Sequence, residues 1–187
     1  MSSALAVPSR STRPSRSTRL RLPDLLHATD RAASDVLDGR YDHLLPAGGI
    51  PTDRRWFTRV HGDDDLDIWL ISWVRGHATE LHDHGDSLGA LTLLSGALDE
   101  FRWDRDELRR RRLEAGDQAA FPLGWVHDVV WAPTSSKSAT AESIAVGPTL
   151  SVHAYSPPLT NMSYYDVTER STLRHKRTEL TAKPESK

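Results

Sequence analysis

The spacing of a few glycines, three histidines and one proline constrains this chain more than anything else in it. Gly76 is followed, after five residues, by His82-x-His84, and Gly96 stands twelve residues beyond. A second stretch, residues 116–127, reads GDQAAFPLGWVH: Gly116, five residues, Pro122-x-Gly124, two residues, His127. On a β-strand, side chains two apart leave the same face, so His82 and His84 can converge on one point. Two converging imidazoles begin a divalent transition-metal site, and His127 supplies a third. Three neutral histidines with no carboxylate nearby leave a bound metal its full double positive charge and open coordination positions, which favours anionic ligands. A single histidine is more often a surface or core residue; the flanking glycines and proline tell against that here.

The two spacings resemble the paired motifs of the cupins. The fold class this implies is all-β: a cupin, that is a jelly-roll-like β-barrel, with an N-terminal helical segment. The acidic ligand of the first motif would fall at position 89, which is Gly89. The usual set of three histidines and one glutamate is thereby reduced to His82, His84 and His127.

A chain of 187 residues accommodates one domain with tails, expected here as a basic tail over 1–21, the domain over 22–168 and a basic tail over 169–187. The net charge of -2 gives no field favouring nucleic acid or an anionic membrane. No apolar run approaches the roughly 20 residues that span a bilayer. Neither nucleic acid nor membrane is an expected partner, and a monomer or weak homo-oligomer is. With no cysteine in the chain, disulfides, thiolate ligands and a cysteine nucleophile are excluded. That fits a reducing compartment, and the expected localisation is cytoplasmic.

Residues 1–21 are rich in Ser and Arg and carry no acid, the composition of a disordered tail. They lack the apolar core of a signal peptide; a transit peptide shares the composition, but no amphipathic pattern accompanies it. Residues 23–38 read as a helix, with Pro23 in the first turn, apolar residues from Leu25 to Leu37 at helical spacing, and Gly39 to end it. From residue 54 the pattern is β: strands over 56–60, 66–74, the motif strand, 88–94, 97–103, 107–113, 143–146 and 150–155. An acidic turn is expected over 61–65, a tight turn over 104–106 and a flexible loop over 134–138. Six tryptophans fall in or beside these strands. The arginine run 109–112 reads as an exposed strand among acidic neighbours rather than a nucleic-acid site. Residues 170–187 show no core face.

Residues 151–155, SVHAY, place Ser151, His153 and Tyr155 on one face of a strand. Turned inward they would have to satisfy one another as a Ser–His–Tyr hydrogen-bond relay; turned outward they are a polar surface. The bond before Pro157 can be cis, as X–Pro bonds permit.

SVHAYSPPL, HDHGDS, FTRV and Trp73 together resemble cysteine dioxygenase, the thiol dioxygenase branch of the cupins, over about residues 56–167. The resemblance implies one Fe(II) per chain on His82, His84 and His127. It implies an outer relay of Ser151, His153 and Tyr155, with Tyr155 near the bound oxygen or the substrate carboxylate. It implies that Arg59 grips that carboxylate, which suits a guanidinium fork, although an arginine on a strand is otherwise a surface charge. The implied reaction adds both atoms of O2 to the thiol of L-cysteine, giving cysteine sulfinate. Two positions depart from the animal form: Gly89 replaces a cysteine that crosslinks to the active-site tyrosine, and Phe57 replaces a tyrosine. The nearest alternative is a dioxygenase for 3-mercaptopropionate or another small thiol acid, whose enzymes carry glutamine where Arg59 stands. A non-catalytic metal-binding cupin is the remoter one. Imidazoles alone do not choose iron over Zn, Ni or Mn.

Overall fold

Pro23 and Asp24 open the helix α1 (Leu22–Leu37), where the Asp24 carboxylate accepts the Arg21 backbone N–H at 3.1 Å. Gly39, with φ +75°, turns the chain out of it. The computed structural model describes residues 20–134 and 148–184. Of the expected features, the tail up to residue 19, the strand over 143–146 and most of the loop over 134–138 lie outside the described residues.

The described strands are β1 (Phe57–Gly62), β2 (Asp67–Trp73), β3 (Leu81–His82), β4 (Leu88–Ser95), β5 (Ala97–Asp104), β6 (Glu107–Glu114), β7 (Gln118–Phe121), β8 (His127–Ala132), β9 (Thr149–Ser156), β10 (Asn161–Val167) and β11 (Leu173–Leu180). They form a five-stranded sheet, β1-β2-β9-β4-β7, facing a six-stranded sheet, β11-β10-β3-β8-β5-β6. Alternation assigns each side chain of the first sheet to one of two cores. Trp69, Ile71 and Trp73 of β2, Leu91 and Leu93 of β4 and Tyr155 of β9 point between the sheets. Ile68, Leu70, Ala90, Val152 and Ala154 point outward against Leu25, Ala32 and Ala33 of α1. The sheet is therefore buried on both faces, which is why β2 reads as a nearly unbroken apolar run. Leu25 is fully buried, contributing roughly 1.5–3 kcal/mol.

Several boundaries differ from the sequence reading. His61 and Gly62 belong to β1, and the turn begins at Asp63, whose carboxylate accepts the N–H groups of Asp65 and Leu66 at 2.9 Å each. Within the stretch read as a basic tail, β11 pairs antiparallel with β10. Its side chains are mostly exposed, so no apolar periodicity announced it; the backbone ladder and the pairing of Lys176 and Arg177 with Glu80 hold it. The arginine run lies on exposed β6, where Arg109 meets Asp104 and Glu107, and Arg110 and Arg112 meet Asp99. The Ser156–Pro157 peptide is cis. Among the described residues no helix is long and apolar enough to cross a membrane.

Candidate metal centre

His82 ends β3 and lies opposite His127 of β8 in register. His84 corrects the expectation of two histidines on one strand, because β3 stops at His82. A turn delivers His84 instead. Asp83, between the two histidines, accepts the Gly85 N–H at 2.9 Å and the Tyr165 hydroxyl at 2.7 Å. Gly85 has φ +56°, and a Cβ there would sit 2.3 Å from the Asn161 side chain, so any other residue would be strained in the turn and would have to displace Asn161.

All three imidazoles are buried, and their ligand atoms lie within 4.8 Å of one another. The His82 Nδ1 donates to the Glu80 carbonyl at 2.9 Å, and the His127 Nδ1 donates to the Glu100 carboxylate at 3.0 Å. Both partners accept, so each Nδ1 carries a proton and each Nε2 is the nitrogen left to face a metal. Those two Nε2 atoms are buried and, among the described residues, without a hydrogen-bond partner, an arrangement native interiors avoid unless something satisfies it. Burial first, and the His127 ring second, hold His82 down at about 3. Burial, then His82 and His127, hold His84 well below the usual range. Neutral imidazoles are the form that ligates a metal. The cluster therefore fits a metal ion.

The expectation of no carboxylate nearby is corrected by Glu100. No acid belongs to the cluster among the described residues, yet Glu100 stands one hydrogen bond behind His127. It is 3% exposed and also accepts the Trp125 indole N–H at 3.2 Å. Burial pushes its carboxyl up, but the hydrogen bond from His127 and the neighbouring charges prevail, leaving it below the usual carboxylate range. The signal was present in the alternation of Leu98 and Glu100 on β5, which puts an acid on an inward face.

Ser151, His153 and Tyr155 face inward and are fully buried, so the outward reading does not hold. His153 Nε2 lies 2.9 Å from Ser151 Oγ, and His153 Nδ1 lies 3.2 Å from Tyr155 Oη. Trp73 extends the row, its indole N–H donating to Ser151 Oγ at 2.8 Å. At the other end the Tyr155 ring centroid is 5.0 Å from that of His84. Gly89 is the register partner of Tyr155, and a Cβ there would lie 2.9 Å from Phe121 and 3.3 Å from the Tyr155 ring. The glycine admits both rings.

Arg59 is placed differently from these. Its guanidinium lies 3.3 Å from Asp67, and its side chain is 55% exposed while Asp67 is buried. Burial raises the Asp67 carboxyl although Arg59 opposes the shift. A second arginine, which sequence reasoning passed over, lies deeper: the nitrogens of the Arg55 guanidinium are shielded from solvent, and its centre is 4.1 Å from that of the Trp73 ring.

Fold and site together define a cupin barrel enclosing a three-histidine cluster able to hold a metal ion, flanked by a hydrogen-bonded Ser–His–Tyr row. The family model of cysteine dioxygenase type I matches residues 50–168, and the chain belongs to that family. Similar curated proteins are the cysteine dioxygenase type 1 of Danio rerio, 28% identical over 110 residues, and that of Rattus norvegicus, 24% identical over 108. Each match covers 56% of this chain and 52% of the relative, so the chain spans about half the length of the curated relatives it matches. Similar solved structures include a cupin superfamily protein from Desulfitobacterium hafniense, 13% identical with a TM-score of 0.44, covering 60% of this chain and 83% of that one. An RmlC-like cupin from Shewanella frigidimarina is 16% identical with a TM-score of 0.42, covering 55% and 76%.

Proposed function

We propose that this chain is an Fe(II)-dependent dioxygenase that adds both atoms of O2 to the thiol of L-cysteine, giving cysteine sulfinate. The carrying observation is the buried Ser151–His153–Tyr155 row ending beside His84. A barrel that only stored a metal or a ligand would have no use for three buried, mutually bonded polar side chains, each costly to desolvate. His82, His84 and His127 would hold the iron, which when bound supplies the redox chemistry that joins O2 to a thiolate.

The remaining work falls to side chains. Glu100 fixes the His127 ring with its Nε2 toward the cluster. Trp73 can only donate, and donation running from Trp73 through Ser151 and His153 to Tyr155 satisfies every group. That order presents the Tyr155 hydroxyl as a proton donor on the histidine side. Phe121, Leu91 and Trp69 line the same inter-sheet core and keep water from the reacting thiolate. The chain has no thiol of its own to be oxidised.

The test is O2 uptake by iron-loaded protein with cysteine, cysteamine and 3-mercaptopropionate, with the products identified. Cysteine-dependent uptake matched by sulfinate is expected; no uptake above the metal-free control with any of the three would refute the reading. The second reading is a 3-mercaptopropionate dioxygenase. It is favoured by the ion pair of Arg59 with Asp67 and by the exposure of Arg59, which weaken that arginine as the group that selects cysteine.

A further inference from the structure

We infer that Arg177, on the edge strand β11, is a positioning residue for His82 and acts through Glu80, an inference that rests on reading the three-histidine cluster as a metal centre. β11 begins beyond residue 168, where the match to the family ends. Glu80 is the residue His82 leans on: its carbonyl accepts the His82 Nδ1–H at 2.9 Å. Glu80 does so with φ +63°, a left-handed backbone that a residue with a side chain rarely adopts and that persists only where its surroundings enforce it. On one side Thr79 is anchored to β8, its backbone N–H and its hydroxyl each donating to the Asp128 carboxylate at 2.9 Å. On the other side the hold is on the Glu80 carboxylate, and it comes from β11.

Arg177 takes that carboxylate with both terminal nitrogens: Nη2 donates to Glu80 Oε1 at 2.9 Å and Nη1 to Oε2 at 3.3 Å. Lys176 adds a contact to Oε2 at 3.0 Å. Neighbours on a regular strand leave opposite faces. Here Tyr164 pairs with Arg177 and Tyr165 with His175, so Lys176 is the extra residue of a bulge. A bulge re-aims a side chain, and this one lets both cations reach one carboxylate. The Glu179 carboxylate accepts the Arg177 Nε–H at 2.7 Å and steadies the fork. Arg177 also braces His82 by packing. Tyr164 is the register partner of both His82 and Arg177, so the three side chains form one row across β3, β10 and β11. The Arg177 guanidinium lies 3.8 Å from the centroid of the Tyr164 ring, which is 6.1 Å from that of His82. A lone exposed ion pair would hold little, but a forked pair inside a network of charges, stacked on a buried ring, holds a turn. Arg177 thus fixes Glu80, and the Glu80 carbonyl fixes the tautomer and tilt of His82 with Nε2 toward the cluster.

The test follows the His82 Nδ1–H by NMR hydrogen exchange in metal-free protein with isotope-labelled histidine, and measures Co(II) affinity in parallel by chelator competition. The wild type should show that proton in slow exchange with water. Arg177→Gln should speed its exchange and weaken Co(II) binding about tenfold, the lower end of the loss when a group that orients a ligating histidine is removed. The His127 Nδ1–H, held by Glu100, should be unchanged. Glu80→Gln should cause a similar loss, and the double variant no more than either alone, because the two residues act as one unit. Arg174→Gln, which breaks another ion pair of β11, with Asp166, should alter neither reading. Should Arg177→Gln not fold, Arg177→Lys, which keeps the charge but not the fork, takes its place with a smaller loss in the same direction. Additive losses in the double variant, an equal loss in Arg174→Gln, or unaltered exchange and affinity in the Arg177 variant overturn the inference. If the wild type takes up no Co(II) while the His82 proton still depends on Arg177, the metal reading falls and the positioning role stands.

Discussion

Replacing Glu100 should loosen the metal without touching a metal ligand. The carboxylate is 3% exposed and its Oε1 accepts both the His127 Nδ1–H at 3.0 Å and the Trp125 indole N–H at 3.2 Å. It fixes the tautomer that turns the His127 Nε2 toward the cluster, and its charge makes that nitrogen a better donor. A hydrogen bond to a charged group contributes about 1.5–3 kcal/mol. At about 1.4 kcal/mol per tenfold, Glu100→Ala should weaken metal binding about tenfold to a hundredfold, in line with other carboxylates that orient a ligating histidine. Glu100→Gln keeps an acceptor for the same proton and removes only the charge, so its loss should sit at the lower end, about tenfold. The assay is competition with a chromophoric chelator for Co(II) or Zn(II), alongside circular dichroism to establish the fold. If Glu100→Ala binds as tightly as wild type while His127→Ala does not, the carboxylate has no part in orienting the imidazole.

His82→Ala, His84→Ala and His127→Ala should each lose metal retention in a folded barrel; full occupancy in any one removes that residue from the ligand set. No bridge to Tyr155 should form in the wild type, whereas Gly89→Cys places a thiol against the Tyr155 ring, with Phe121 giving way. Peptide mapping after turnover should find a thioether there, and an unmodified Tyr155 despite a folded, active variant would count against the register of β4 on β9. Metal-free protein should be less stable at acid pH. His82, His84 and His153 are held below their usual range, chiefly by burial, with His82 at about 3, so between about 6.5 and 3 the unfolded chain binds more protons than the folded one. Their stabilisation is present above about pH 6.5 and declines below it; a denaturation midpoint no lower at about pH 5 than at about pH 7.5 would contradict this.

Local pattern carried a large part of the protein. Helical spacing after Pro23 and the stop at Gly39 placed α1, apolar runs placed β2 and β4, and the turn over 104–106 placed β5 and β6 as a hairpin, because those signals depend only on neighbours along the chain. The glycine and proline spacing singled out His82, His84 and His127, and alternate polar residues singled out Ser151, His153 and Tyr155. What lay beyond the sequence were relations across strands. His84 reaches the cluster through a turn that Asp83 and Gly85 close against Asn161 and Tyr165, residues on a strand far along the chain. Glu100 meets His127 because β5 pairs with β8, and no spacing rule links the two. Arg55, two residues before β1, and Arg59, within it, look equivalent in sequence. Which of them is buried depends on where the barrel closes and where Asp67 stands, and the packing of the two sheets alone decides that. β11 has no apolar face to betray it, since an edge strand held by backbone bonds and surface charge needs none.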